Sequence, residues 1–168
     1  MRDAWWGKAR EGHTFNTEVA KALSEAGWQV RENIGLPELI NRKDRKIEGD
    51  FGDVDVLAWK ADRKDILVIE CKDLSFARNY SEVAALLSEY QGVTNSKDKR
   101  DKLKRHLDRV ALLQENLDMI QQFTGVTEPH LVSWLVCSGI VPMQYAKIDA
   151  LVNTNTLVGG IEDVCADA

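Results

Sequence analysis

Residues 52–72 read GDVDVLAWKADRKDILVIECK, and this stretch holds the clearest structural signal in the chain. Two largely apolar runs, residues 53–60 and 65–72, are separated by the short, mostly charged segment ADRK at 61–64. Apolar runs of this length around a short polar segment are typical of two strands joined by a turn. The stretch therefore predicts an antiparallel hairpin.

The register of that hairpin brings three charged side chains together. If Lys60 pairs with Asp65 across the turn, Asp55 lies directly opposite Glu70. Directly opposed residues share a sheet face, and Lys72 shares it too because it is two residues beyond Glu70. The hairpin thus predicts two carboxylates and an ammonium group on one face.

Such an arrangement calls for compensation. Like charges that face each other across a sheet lower stability. Asp55 also stands between Val54 and Val56, where an unpaired carboxylate would be costly to bury. A divalent metal ion between Asp55 and Glu70 would relieve both problems. The simplest alternative is a salt bridge from Lys72 to one of the carboxylates.

Periodicity outside the hairpin predicts the remaining elements. We expect helices at 12–26, 81–90 and 99–123, strands at 28–31 and 131–137, a loop at 38–50, and weaker signals for a short helix at 143–151 and a strand at 156–158. The predicted buried stripe of the longest helix is Leu103, Leu107, Val110, Ala111, Leu117 and Ile120. This order indicates an α/β fold with a mixed sheet flanked by helices.

The segments GDVDVL at 52–57 and VIECK at 68–72 resemble the catalytic core of the PD-(D/E)xK nuclease superfamily, which includes many restriction enzymes, Holliday-junction resolvases and Mrr-like proteins. One departure is Val54, where the motif has proline. The resemblance implies a restriction endonuclease-like αβββαβ core over about residues 12–138. Residues 139–168 would then be a C-terminal extension of one nuclease-like domain, 1–168, which could be a piece of a longer protein.

The resemblance also implies roles for individual residues. Asp55 and Glu70 would coordinate Mg²⁺ or Mn²⁺, which prefer carboxylate oxygens, and the backbone carbonyl of Cys71 could add a ligand. Lys72 would orient the attacking water and offset charge in the transition state. Glu18, from the first helix, is a further candidate ligand, with an exposed helix carboxylate as the alternative.

Candidates for substrate contacts come from two basic segments and from residues near the motif. The basic candidates for DNA binding are Arg42, Lys43, Arg45, Lys46, Lys99, Arg100 and Arg105. The alternative for each segment is an ordinary solvated loop or helix face. Asp53 and Gln91 are candidates for groups that support the metal ligands. A net charge of -5 argues against a protein that coats nucleic acid without specificity.

Composition narrows the protein class. Hydrophobic content of 44% and charged content of 29% are ordinary for a soluble globular protein, and no window approaches the ~20 apolar residues of a membrane span. The three cysteines are far apart, which favours reduced thiols over a disulfide frame. We therefore expect a cytoplasmic protein without membrane partners.

The leading functional hypothesis is a metal-dependent DNA endonuclease of the restriction, repair or mobile-element type. A nuclease-like module that binds nucleic acid or a partner without cleaving is the alternative. DNA is favoured over RNA, although no residue here tests for the 2′-hydroxyl. A homodimer, or additional domains outside this chain, would fit an enzyme that cuts both strands of a duplex.

Overall fold

The computed structural model describes residues 15–40, 46–74 and 79–167. A helix that includes residues 15–25 (α1) comes first. The next elements are β1 (Gln29–Ile34), α2 (Leu36–Leu39), β2 (Val54–Trp59), β3 (Asp65–Lys72), α3 (Tyr80–Glu89), α4 (Lys102–Gln114) and α5 (Leu117–Thr124). The chain continues with β4 (His130–Cys137), a 3-10 turn (Pro142–Gln144), α6 (Asp149–Asn153), β5 (Leu157–Gly159) and α7 (Ile161–Asp167).

The strands form one mixed sheet in the order β1-β2-β3-β4-β5. β1, β2 and β3 are antiparallel neighbours, whereas β4 and β5 run parallel to β3. In the hairpin, Val56 pairs with Ile69 and Trp59 pairs with Ile66. This is the predicted register, and the α/β fold with a mixed sheet between helices is confirmed.

Each face of the sheet is covered by helices. α4 and α5 pack on one face, where Leu113 and Ile120 join Leu57 and Val68 in a buried cluster. On the other face, α1 and α7 join a second buried cluster with Ile69. β3 is consequently buried along most of its length, and only its two ends reach polar surroundings.

The predicted helix at 99–123 is wrong as a single element. It consists of α4 and α5, with a break at Glu115 and Asn116. Asn116 leaves helical geometry at φ -124° and ψ 35°, and its side chain donates to the Leu112 carbonyl. Asparagine commonly ends helices in this way, because its amide competes for backbone groups.

The buried stripe of α4 is also different from the prediction. Leu103, His106, Arg109 and Leu113 are buried, whereas Ala111 is exposed. This face of α4 lies over the charged end of β3. The polar His106 and Arg109 are therefore buried there, at positions next to the apolar residues of the predicted stripe.

Three smaller differences concern the ends of the domain. β1 extends beyond the predicted strand at 28–31, and α2 overlaps the start of the predicted loop at 38–50. Pro37 stands in the first turn of α2, where proline is tolerated because that N–H has no helical partner. Residues 139–168 contribute β5 and α7, so this extension is part of the sheet and its core.

Candidate functional site

The hairpin end brings Asp55, Glu70 and Lys72 to one face. The register places Asp55 opposite Glu70, one position beyond the pairing of Val56 with Ile69. Oδ2 of Asp55 accepts a hydrogen bond from the Cys71 amide at 2.8 Å. Nζ of Lys72 lies 2.7 Å from Oε1 of Glu70. The predicted arrangement is present, while the catalytic roles of its members stay predictions.

Cys71 contributes its backbone N–H to the site, whereas its side chain lies on the opposite face of the sheet. The thiol is buried in the core cluster of the opposite sheet face, as the alternation of the strand predicts. Burial raises the pKa of this thiol, and the carboxylates of Asp55 and Glu70 raise it further. Cys71 is therefore a core residue with no thiolate chemistry to offer.

Arg109 is a residue of the candidate site that the sequence prediction did not place there. Its Nη1 lies 2.7 Å from Oε2 of Glu70, and its Nε donates to the Phe51 carbonyl at 2.9 Å. Only 4% of Arg109 is exposed. The signal that could have found it is spacing, because Leu103, His106, Arg109 and Leu113 follow a helical period.

Gly52 makes the close approach of two arginines to this backbone feasible. A Cβ at Gly52 would lie 3.2 Å from Nη2 of Arg109 and 3.4 Å from Nη2 of Arg105. Its φ of +66° lies in the left-handed region that favours glycine. Arg105 in turn contacts Asp50, with Nη2 3.2 Å from Oδ2.

The two carboxylates differ in their electrostatic state. Burial raises the pKa of Asp55 to about 6, and the charge of Glu70 adds to the rise. Burial also acts to raise the pKa of Glu70, but Lys72 and Arg109 outweigh it and the pKa of Glu70 is lowered. Glu70 is therefore a compensated anion, and Asp55 is the carboxylate that gains most from a nearby cation.

A buried histidine lies behind Glu70. Nδ1 of His106 is 3.9 Å from Oε2 of Glu70, and Nε2 is 2.9 Å from the Ser133 hydroxyl. The ring is 1% exposed. Burial lowers the pKa of His106 to about 4, so the imidazole is neutral at physiological pH.

The site opens into a cleft of about 300 Å³. The cleft is lined by Asn33, Gly52, Asp53, Asp55, Glu70, Lys72, Lys102, Arg105 and Arg109. A neighbouring cleft of about 730 Å³ shares Lys102 and Arg105 with it. Charged side chains of both signs therefore surround Asp55 and Glu70. Lys102 and Arg105 lie between this cleft and the larger one.

The basic residues that were predicted to contact DNA differ in their surroundings. Arg42, Lys43 and Arg45 lie outside the described residues. Lys46 and Lys99 are exposed.

Two arginines of the same prediction already have partners. Arg100 pairs with Asp108 at 3.2 Å and donates to the Asp50 carbonyl, and Arg105 also contacts Asp50. Lys102, which lines the site, pairs with Glu89 at 2.6 Å. The basic segment of α4 is thus largely neutralised by acids in this state.

The three weaker candidates separate into one near the site and two away from it. Asp53 is exposed and lines the cleft of Asp55. Glu18 is exposed and lines a different cleft, beside Ser138, on a helix that packs against the opposite sheet face. Gln91 bonds back to the Leu87 carbonyl. The structure therefore does not bring Glu18 or Gln91 to the carboxylate pair.

The donor set fits a hard divalent cation in its chemistry. Within residues 15–40, 46–74 and 79–167, no group of three or more His, Cys, Asp or Glu side chains has metal-binding geometry. Mg²⁺, however, is commonly bound by one or two carboxylates, with water and substrate phosphate completing its shell. If this site holds such an ion, Asp55 and Glu70 would be those two carboxylates, and the ion would share its remaining ligands with water and substrate.

Comparisons with known proteins give one match. A family model described as anti-phage protein Upx-like matches residues 1–165. No curated protein and no solved structure matches the chain. Among the described helices, none has the length and apolar character needed to cross a membrane. The match does not bear on the resemblance to PD-(D/E)xK nucleases, which stays a prediction.

Proposed function

This chain belongs to the Upx-like family of anti-phage proteins, and we propose that it serves defence as a metal-dependent nuclease. The proposed reaction is hydrolysis of a phosphodiester bond in DNA, with Mg²⁺ or Mn²⁺ held by Asp55 and Glu70. The observation that carries the proposal is the Asp55 carboxylate, which lies in a cleft opposite Glu70 and within the field of Lys72.

Asp55 is well suited to gain a cation. Its pKa is raised to about 6 by burial and by Glu70, so its ionised form is penalised in the metal-free protein. Its Oδ2 is fixed by the Cys71 amide, which orients the carboxylate. A bound divalent ion would polarise a phosphate and lower the pKa of a ligand water. Carboxyl groups with a perturbed pKa are common at functional sites, and a divalent ion would offset the repulsion between these two.

The cationic side chains have separate tasks in this proposal. Lys72, at the mouth of the site, orients a nucleophilic water and offsets charge on the phosphate oxygens. Lys102 and Arg105 line both clefts, so they are placed to contact phosphates on either side of the cleaved bond. Arg109 is buried and tied to the Phe51 carbonyl, and its first task is to hold Glu70.

A second candidate function is nucleic-acid binding without cleavage. Both oxygens of Glu70 are engaged, Oε1 by Lys72 and Oε2 by Arg109. The charges of Asp55, Glu70, Lys72 and Arg109 therefore balance without a metal ion. A cleft balanced in this way can hold a polar ligand without performing chemistry on it.

Cleavage assays distinguish the two candidates. We expect the wild type to cut supercoiled, single-stranded or branched DNA with Mg²⁺ or Mn²⁺ and to be inactive with EDTA. Lys72→Ala should lower the cleavage rate by about 100- to 1000-fold, the usual effect of removing one group that stabilises transition-state charge. Gel assays with each substrate, and with RNA in parallel, measure this.

The matched control for that assay is Lys64→Ala. Lys64 precedes β3 at the turn end of the hairpin, is 66% exposed and pairs with the exposed Glu128. This variant should cleave at the wild-type rate. Cleavage that persists in EDTA, or in Lys72→Ala, would contradict the site assignment. Salt-sensitive binding without cleavage by the wild type would favour the binding module.

A further inference from the structure

A chain of buried polar groups runs from Glu70 toward β5. The His106 ring contacts the Ser133 hydroxyl through Nε2 at 2.9 Å. Thr156 donates to Ser133 at 3.0 Å, and the Thr154 hydroxyl lies 2.8 Å from that of Thr156. His106, Ser133 and Thr156 are all buried, whereas Thr154 is exposed. No step of the proposed reaction uses this series of hydrogen-bonded side chains.

The hydrogen bonds favour one position for the proton on the His106 ring. Ser133 Oγ accepts from Thr156, so the single Ser133 proton is free for its other close partner, Nε2 of His106. A neutral imidazole that accepts at Nε2 carries its own proton at Nδ1. In the other neutral form, a lone pair on Nδ1 would face the Glu70 carboxylate at 3.9 Å, so the network favours the Nδ1–H form, which presents a donor toward Glu70.

That donor has no hydrogen-bond partner in the described part of the chain. Nδ1 is fully buried, and Oε2 of Glu70 lies 3.9 Å away, beyond hydrogen-bond length. Oε2 is held instead by Arg109 at 2.7 Å. Unsatisfied buried donors are rare in native proteins, and each invites a specific explanation.

We propose that His106 is a positioning residue for Glu70, whose Nδ1–H takes up Oε2 when Arg109 releases that oxygen as the site binds its substrate. Glu70 would otherwise lose an anchor at the moment the site engages its substrate. The hydroxyl chain through Ser133 and Thr156 keeps the ring in the donating form. The second step of this inference rests on the proposed nuclease function, whereas the ring's proton position does not.

The position of the proton is tested first, without any activity. Long-range proton–nitrogen NMR correlations of the histidine rings distinguish the two neutral forms. The chain contains three histidines, and the spectrum of His106→Gln assigns the signal of His106 by its loss. We expect the Nδ1–H form in the wild type. The Nε2–H form, or a charged ring at neutral pH, would overturn the inference.

Two substitutions then separate the two ends of the ring. His106→Asn keeps an N–H near the Nδ1 position and loses the contact with Ser133, whereas His106→Gln keeps a polar group near Nε2 and loses the donor toward Glu70. We expect His106→Gln to lower kcat by about 10- to 100-fold with KM little changed, as for other residues that orient a ligand. His106→Asn should recover most of that loss.

Equal activity of the two variants, or a greater loss in His106→Asn, would overturn the positioning role and indicate a packing role instead. Thermal melting of both variants establishes that they fold. If both unfold, the proton position in the wild type decides. If the wild type does not cleave, the proposed nuclease function fails, and the NMR result still decides the state of His106.

Discussion

Asp55→Asn should abolish cleavage and stabilise the metal-free fold. The amide oxygen of asparagine can still accept the hydrogen bond from the Cys71 amide, so the local backbone is preserved. The lost charge removes one of the two carboxylates of the proposed metal site. We expect cleavage to fall by about 1000-fold, equivalent to ~4 kcal/mol of transition-state stabilisation.

The gain in stability follows from the pKa of Asp55. A carboxyl whose folded-state pKa is raised from 3.8 to about 6 destabilises the fold when it is ionised. That penalty is absent below pH 3.8 and complete above pH 6, so the wild type loses stability on this account as pH rises between them. Glu70 acts in the opposite direction, because its lowered pKa stabilises the fold at neutral pH.

Urea unfolding in EDTA measures this effect as a difference. At pH 7.5, Asp55→Asn should have a free energy of unfolding about 1–3 kcal/mol above that of the wild type, and at pH 3.5 the difference should largely vanish. Asp53→Asn is the matched control, because Asp53 is exposed in the same cleft. A lower stability of Asp55→Asn at pH 7.5 would show that Asp55 is compensated without metal.

Arg109→Ala should produce the largest loss of stability. The substitution leaves the buried carboxylate of Glu70 with Lys72 as its remaining cation and removes the donor to the Phe51 carbonyl. Breaking one partner of a buried ion pair lowers stability by about 3–5 kcal/mol. Urea unfolding measures this loss, and the urea concentration at the midpoint of unfolding should be well below that of the wild type.

Arg105→Ala is the control for that measurement. Arg105 lies one turn earlier on α4, is exposed, and pairs with an Asp50 side chain that is 82% exposed. Exposed pairs contribute about 0–1 kcal/mol. Equal losses in Arg105→Ala and Arg109→Ala would contradict the central position given to Arg109. A double variant, Glu70→Gln with Arg109→Met, should recover part of the loss because it removes both buried charges.

The hairpin was predictable because its signals are local. Two apolar runs and one polar turn determine the register, and the register alone brings Asp55, Glu70 and Lys72 to one face. β4 was equally predictable from the sequence, since a continuous apolar run is typical of a strand covered on both faces. Local pattern therefore sufficed for the sheet centre and for the geometry of the three charges.

Arg109 was not predictable in the same way. It contacts Glu70 from 39 residues further along the chain, through a helix whose orientation depends on tertiary packing. An arginine in an amphipathic helix is ordinarily predicted to be solvated, and its helical spacing can indicate the buried face without identifying the partner there. The predicted stripe used only apolar residues, so it passed over the polar His106 and Arg109, which the charged end of β3 draws into the buried face of α4.

Because Arg109 pairs with Glu70, the reason to expect a metal ion differs from the one that the sequence suggested. From the sequence, facing carboxylates beside one lysine required another cation, and a divalent ion was the simplest. In the structure, Lys72 and Arg109 both engage Glu70, so Asp55, with its raised pKa, is the carboxylate that a metal ion would stabilise. Metal binding would then require Lys72 or Arg109 to yield a Glu70 oxygen.

Calorimetric titration of Mn²⁺ into the metal-free protein tests whether Asp55 and Glu70 form a metal centre. We expect one Mn²⁺ to bind per chain in the wild type and in Asp53→Asn, and binding to be lost in Asp55→Asn. Absence of binding by the wild type, or unchanged binding by Asp55→Asn, would contradict the account.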